Sequence, residues 1–329
     1  MQSLKINGAN RVLKLLVVAL AAVVLTPLVS ADTYRSGQHV EPAFEGWRPN
    51  DDGTFNLMFG YMNENWEEVP FVPVGDGNMF SPGEADRGQP TRFLPRRNRF
   101  TFEVQVPSDF GDRELVWTLN VNGVERKAYG TLKADYLVDN MVIASETGSL
   151  GAGTSSPESR ANIPPQVTVQ GDDIRTVRVG QPMRLQTHVA DDGLPTPDDP
   201  VEQAREFAEF AGGPLAAALV TEENVRQRIL MSPPVKVTVD KINGLFLSWN
   251  VYRGEGNVTF NPQMPKPWED TRAGSNSPWG SLWTPPPIPE DGMYEVEVTF
   301  DEPGTYVLWG RADDGGLYHD DYITVNVTE

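Results

Sequence analysis

Residues 303–327 read PGTYVLWGRADDGGLYHDDYITVNV. The runs TYVLWGR and YITVNV alternate apolar and polar side chains, and the ADDGG between them is turn chemistry. The segment therefore reads as two antiparallel strands with one buried face each. The same period of two recurs upstream in VTV (167–169), MRLQTHV (183–189), VKVTV (235–239), LFLSWNV (245–251) and MYEVEVTF (293–300). It also fills an earlier block. TFNLMFGYM puts Phe55, Leu57, Phe59 and Tyr61 on one face, RFTFEVQV does so with Phe100, Phe102, Val104 and Val106, and ELVWTLNV with Leu115, Trp117, Leu119 and Val121. Strands this frequent, separated by PNDDG, VNG and Pro/Gly-rich turns, predict an all-β chain of antiparallel sandwiches.

At 329 residues with 39% hydrophobic content, two cores are affordable, and the pattern divides them. A first β-sandwich is expected over 40–147, ending in a short helix or docked strand around Leu137, Val138, Met141 and Val142. Residues 148–164, GSLGAGTSSPESRANIP, are rich in Gly, Ser and Pro without apolar periodicity, so they read as a connector. Its glycines are not a phosphate loop, since no Lys-Ser or Lys-Thr follows. A second sandwich spans 165–329 with two interruptions. Over 199–231 the pattern turns helical, with Pro200 at a first helical position and a break at Gly212-Gly213. Residues 261–292 form a long loop carrying Trp268, Trp279, Trp283 and three consecutive prolines.

Lys5, Arg11 and Lys14 precede the uncharged run LLVVALAAVVLTPLV, which Ser30 and Ala31 close. This is the pattern of an export signal over 1–31, and the run is shorter than the ~20 apolar residues a membrane-spanning helix needs. The expected setting is periplasmic or extracellular, with no membrane insertion after cleavage. No cysteine is present, so neither disulfides nor thiolate chemistry contribute. Beyond residue 31 the chain holds 24 basic and 46 acidic residues, a net of −22. A field of that sign repels phosphate backbones, which excludes nucleic acid as a partner.

The second block resembles the PKD-type immunoglobulin-like domains of bacterial exported proteins. The likeness lies in PPQVTVQG and VRVGQPMRLQTHVADDG at its start, Trp249 in its middle and PGTYVLWGRADDGGLYHDDYITVNV at its end. The first block is similar only to exported bacterial proteins of uncharacterised role. The resemblance implies two immunoglobulin-like antiparallel β-sandwiches, the second bearing the helical insertion and the Trp/Pro-rich loop. SWNVYRGEG stands where PKD domains usually carry a Trp-Asp-Phe-Gly-Asp-Gly-like turn, so no function of that turn is carried over.

In immunoglobulin order, MRLQTHV is strand B, LFLSWNV C, NVTF D, MYEVEVTF E, TYVLWGR F and YITVNV G. The B–C, D–E and F–G connections of that topology gather at one end. The tetrapeptide ADDG then occurs twice at that pole, once after B with Asp191 and Asp192 and once after F with Asp313 and Asp314. The helical insertion and the tryptophan loop fall there too, and binding residues favour loops on rigid scaffolds. Four converging carboxylates suit a calcium ion; alternatively both copies are Asx-type turn chemistry. Trp268, Trp279 and Trp283 offer flat faces to a ligand, or fold inward as a private core.

Catalytic signatures are sparse. His39, His188 and His319 accompany neither a G-x-S-x-G elbow nor H-E-x-x-H, and the basic run at Arg96, Arg97 and Arg99 can dock an acidic surface, the second block included. The expected role is non-enzymatic binding or scaffolding at the cell envelope, toward a protein or glycan, with a glycan-active hydrolase at the acidic pole as the alternative.

Overall fold

The computed structural model describes residues 34–147, 156–197, 199–231, 241–272, 274–280 and 283–329. The expected export signal over 1–31, part of the connector (148–155) and the run VKVTV lie outside them. Residues Tyr34–Glu329 form one compact unit of antiparallel sheets arranged as two immunoglobulin-like sandwiches.

In the first sandwich, β1 (Val40–Pro49), β2 (Phe55–Asn63) and β4 (Arg96–Val106) form one sheet in the order β1-β2-β4. It faces β3 (Asn78–Ser81), β5 (Leu115–Val121) and β6 (Val124–Gly130), in the order β3-β5-β6. Alternation delivers Phe59 and Phe102 from the first sheet onto Phe80 and Trp117 from the second. Phe59 stacks on Phe102 at 5.6 Å, Phe80 on Trp117 at 5.9 Å, and Phe102 meets Trp117 edge-on at 5.0 Å. Such edge and offset geometries add about 0.5–1.5 kcal/mol per pair beyond area burial.

One residue departs from the expected face. Phe100 does not join Phe102, Val104 and Val106; it packs with Met58, Val138, Ile143, Ala144 and Leu317 on the other side of the sheet. The register of β2 against β4 shifts between Phe59 and Tyr61, and Phe100 has φ 47°. A bulge at this point reverses the side-chain alternation. Gly60 permits it, because a Cβ there would run into the Glu45 side chain and the Asn98 carbonyl. The outer face of this sheet is thereby apolar, and α1 (Asn140–Thr147) lies over it with Ile143 and Ala144.

The second sandwich contains β7 (Gln166–Val169), β8 (Ile174–Arg178), β9 (Met183–Ala190), β10 (Phe246–Arg253), β11 (Val258–Asn261), β12 (Met293–Phe300), β13 (Gly304–Asp313) and β14 (Tyr318–Thr328). Its sheets run β11-β12-β9-β7 and β10-β13-β14-β8. The β14–β8 pairing is parallel, so the first strand of the domain is divided between both sheets. This is the immunoglobulin arrangement, with β9, β10, β11, β12, β13 and β14 as B to G. Trp249 is fully buried at its centre, donates Nε1–H to Thr187 Oγ1 at 3.3 Å, and lies against Gly310, where no Cβ would fit. Tyr306, near the start of β13, donates its hydroxyl to the Glu302 carbonyl at 3.0 Å, the tyrosine-corner contact of such sandwiches.

The two sandwiches touch along β10. Tyr252 donates its hydroxyl to Gly88 O at 2.6 Å, Arg253 reaches Gln89 O at 2.8 Å and Asp86 at 2.7 Å, and Thr91 N donates to Tyr252 O at 3.0 Å. Tyr252 and Trp309 of the second sandwich complete the aromatic core of the first.

Candidate functional site

Asp-Asp-Gly closes each turn in the same way, because an aspartate carboxylate reaches the backbone N–H two residues on. In the first copy Asp191 accepts from Gly193 N at 2.9 Å and Asp192 from Leu194 N at 2.9 Å. In the second, Asp313 accepts from Gly315 N at 2.8 Å and Asp314 from Gly316 N at 2.6 Å and Leu317 N at 2.7 Å.

The copies meet at one pole, clasped by consecutive residues of the connector. Asn162 donates Nδ2–H to Asp314 Oδ2 at 3.1 Å, while Ile163 N donates to Asp192 Oδ2 at 3.0 Å. Those residues are held by α2 (Pro157–Ala161), whose capping box reciprocates Ser156 and Ser159. The connector is thus built into the pole over its described part.

Beyond the turn chemistry the copies differ in burial. Asp192 is exposed and Asp191 half-buried, whereas Asp313 and Asp314 are buried. Both Asp313 oxygens accept from Lys241 Nζ, at 2.8 and 2.9 Å, and Lys241 is itself 2% exposed. Burial pushes the Asp314 carboxyl up to about 7, and the neighbouring Asp313 charge adds to the rise; the Leu317 and Gly316 N–H groups pull it back. Burial also raises Asp191. Asp313 is paired with Lys241 and Asp314 accepts from three donors, and among the described residues no group of three or more His, Asp or Glu side chains is placed to hold a metal ion. The sequence pattern located the turns but carried no sign of Lys241, which lies 72 residues from Asp313.

The tryptophans expected as ligand platforms turn inward, to three separate places. Trp283 packs edge-on against Phe246 at 5.4 Å and donates toward Asn276 Oδ1 at 3.3 Å. Trp279 is half-buried, with Lys241 Nζ 5.5 Å from its ring centroid. Trp268 packs on the core of the first sandwich. Trp283 is thus buried, whereas Trp268 and Trp279 are half-buried.

The long loop instead fastens the two sandwiches. Its Glu269 sits among Arg96, Arg97 and Arg99, with Arg99 Nε 3.8 Å away; burial raises its carboxyl to about 7, against the pull of the arginines. Trp66 of the first sandwich lies between two guanidiniums, Arg96 at 4.5 Å and Arg272 at 5.1 Å. Of the basic run, Arg99 thus faces the second sandwich through Glu269, while Arg97 pairs with Glu45 and Arg96 with Glu64 of the first.

What remains exposed at the pole is the insertion between β9 and β10: α3 (Pro200–Gly212), α4 (Pro214–Ala218) and α5 (Glu222–Met231). Asp199 caps α3 by accepting from Val201 N and Glu202 N, and Pro200 opens it. Ala204, Ala208, Ala216 and Ala217 are half-buried together with Val201, Val220 and Val225. Phe210 is 91% and Met231 83% exposed, and Phe207, Leu215 and Leu219 face outward as well.

No protein-family model and no curated relative matches the chain. Among solved structures, domains 4 and 5 of the S-layer protein SbsC align at 9% identity over 89% of this chain and 98% of that one, with a TM-score of 0.21. A chimeric titin Z1Z2 aligns at 10% over 89% and 100%, TM-score 0.21, and the fibronectin(III)-like modules of Clostridium thermocellum CbhA at 8% over 88% and 94%, TM-score 0.21. Scores this low carry no argument, and the immunoglobulin-like assignment rests on the strand order itself.

Proposed function

We propose that the protein is an exported, non-enzymatic binding module of the cell envelope that holds a protein partner through the helical insertion at its loop pole. The observation that carries this reading is the set of large apolar side chains that the insertion leaves uncovered. Helices that served only their own fold would bury their largest apolar side chains; here Ala204, Ala208 and three valines are half-buried while Phe207, Phe210, Leu215, Leu219 and Met231 face out. Contiguous exposed apolar side chains with polar surroundings mark interaction surfaces.

The partner's character follows from charge. Residues 199–231 hold six acidic and three basic side chains in a chain of net charge −19. A partner with an apolar groove edged by Lys and Arg complements that surface, and an anionic lipid surface does not. Export is supported by the charged-then-apolar pattern of residues 1–31. Among the described residues no helix is long and apolar enough to cross a membrane. The hydrolase alternative would need two available carboxyls at the pole, and there Asp313 and Asp314 are both engaged.

The reading is tested by replacing Phe207 and Phe210 together with serine. Both are exposed, so stability should change by less than about 0.5 kcal/mol, while co-purification of the envelope partner is lost. An unchanged complex would place recognition elsewhere.

A further inference from the structure

A cavity of about 540 Å³ opens where the outer face of β4 meets β10 and β14. Small-molecule sites span ~300–1,000 Å³ and favour domain interfaces. Aromatic residues line it: Tyr318 and Tyr322 of the second sandwich are half-buried there, with Phe100 and Tyr252 buried behind them.

The charges around it are all paired. Arg48 donates to Glu103 at 2.6 Å, Arg253 to Asp86 at 2.7 Å, and Arg311, behind the wall, donates twice to Asp320 at 2.8 Å. No net field remains to compensate an ionic ligand, whose desolvation would then go unrecovered. What is free is hydrogen-bonding capacity. Among the described residues the hydroxyls of Tyr318 and Tyr322 take no partner, although each lines the cavity. His319 Nδ1 accepts from Val167 N at 3.2 Å, which in the neutral ring fixes the proton on Nε2 and makes that nitrogen a donor. Arg48 uses a single guanidinium nitrogen on Glu103.

We propose that this cleft binds a neutral saccharide of one or a few rings. The C–H face of a sugar ring lies against the half-exposed rings of Tyr318 and Tyr322, and its hydroxyl and ring oxygens accept from His319 Nε2, Tyr318, Tyr322 and Arg48. An apolar ligand would strand those donors, and an anion would lack a counter-charge. The site is separate from the helical insertion and stands or falls independently of it.

The chain contains three histidines, so side-chain NMR reports directly on the cleft, with His39 and His188 as internal references. The full chain is titrated with cellobiose, maltose, N,N′-diacetylchitobiose and, as the anionic counterpart, glucuronate. At least one neutral disaccharide should shift the His319 resonances saturably while His39 and His188 stay fixed. Y318F and Y322F keep the aromatic walls and should each weaken that binding about fivefold, the equivalent of one hydrogen bond of ~1 kcal/mol. The proposal is overturned if no neutral disaccharide moves His319, if glucuronate binds more tightly than all three, or if both tyrosine variants bind as the parent does.

Discussion

Arg311 and Asp320 face each other across the β13–β14 ladder, with Nε and Nη2 each 2.8 Å from a carboxylate oxygen, and the same Nη2 lies 2.7 Å from the carbonyl of Phe100. The guanidinium also covers the Tyr318 ring at 3.8 Å and that of Trp309 at 4.6 Å. One buried side chain thus fixes its own hairpin and ties it to β4 of the other sandwich. Removing one member of a buried pair costs about 3–5 kcal/mol, because the other charge is left unmatched. R311M should lose that much in urea unfolding, and R311K, lacking the planar fork, should recover only part. A loss under 1 kcal/mol for R311M would show the contact to be dispensable.

The raised carboxyls of Asp314 and Glu269 set a pH dependence. Burial lifts both to about 7, against roughly 4 for an unfolded chain. Between those values the folded protein binds more protons than the unfolded, so stability falls as pH rises from about 4.5 to 7. Asp86 works the other way: its hydrogen bond to Arg253 holds it low, and its contribution fades below about pH 4. A stability maximum near pH 5 is expected, and D314N should flatten the descending side by up to ~1.4 kcal/mol per pH unit. Chemical denaturation of both proteins at pH 5, 6, 7 and 8 measures it; parallel profiles would contradict it.

Arg272 of the loop lies over the Trp66 ring alongside Arg96, so R272A should loosen the tryptophan loop more than the sandwiches. The expected cost is about 0.5–1 kcal/mol, with faster proteolytic cleavage inside 261–292. Cleavage at parental rate would assign the loop's order to Trp283 and Phe246 alone.

Calcium should leave the protein unchanged. With Asp313 on Lys241 and Asp314 on three donors, melting curves in calcium and in chelator are expected to coincide. A shift of several degrees that D191N removes would instead establish a cation at the first turn.

Strand order was legible where runs such as MRLQTHV and MYEVEVTF alternate between turn residues, and the repeated ADDG marked the ends of B and F. Phe100 was not, because a bulge opposite Gly60 reverses the alternation without changing the residue types. Lys241 was invisible for a different reason, as its partner lies 72 residues away and pairings of that range leave no local pattern. The tryptophan loop showed its composition but not its direction, since inward packing on Phe246 and outward display use the same side chains. Helix over 199–231 was readable from Pro200 and the glycine break; the outward set of its phenylalanines was not.

The exposed face of that insertion is the centre of the account, and site-specific photo-crosslinking in the source cells tests it most directly. A benzophenone side chain is placed at Phe210, with the exposed Tyr129 on β6 of the first sandwich as the control position. The expected result is one discrete adduct with a different protein from position 210 and none of that mass from position 129. No adduct at 210, the same adducts at both positions, or a product of twice the chain's own mass would contradict it.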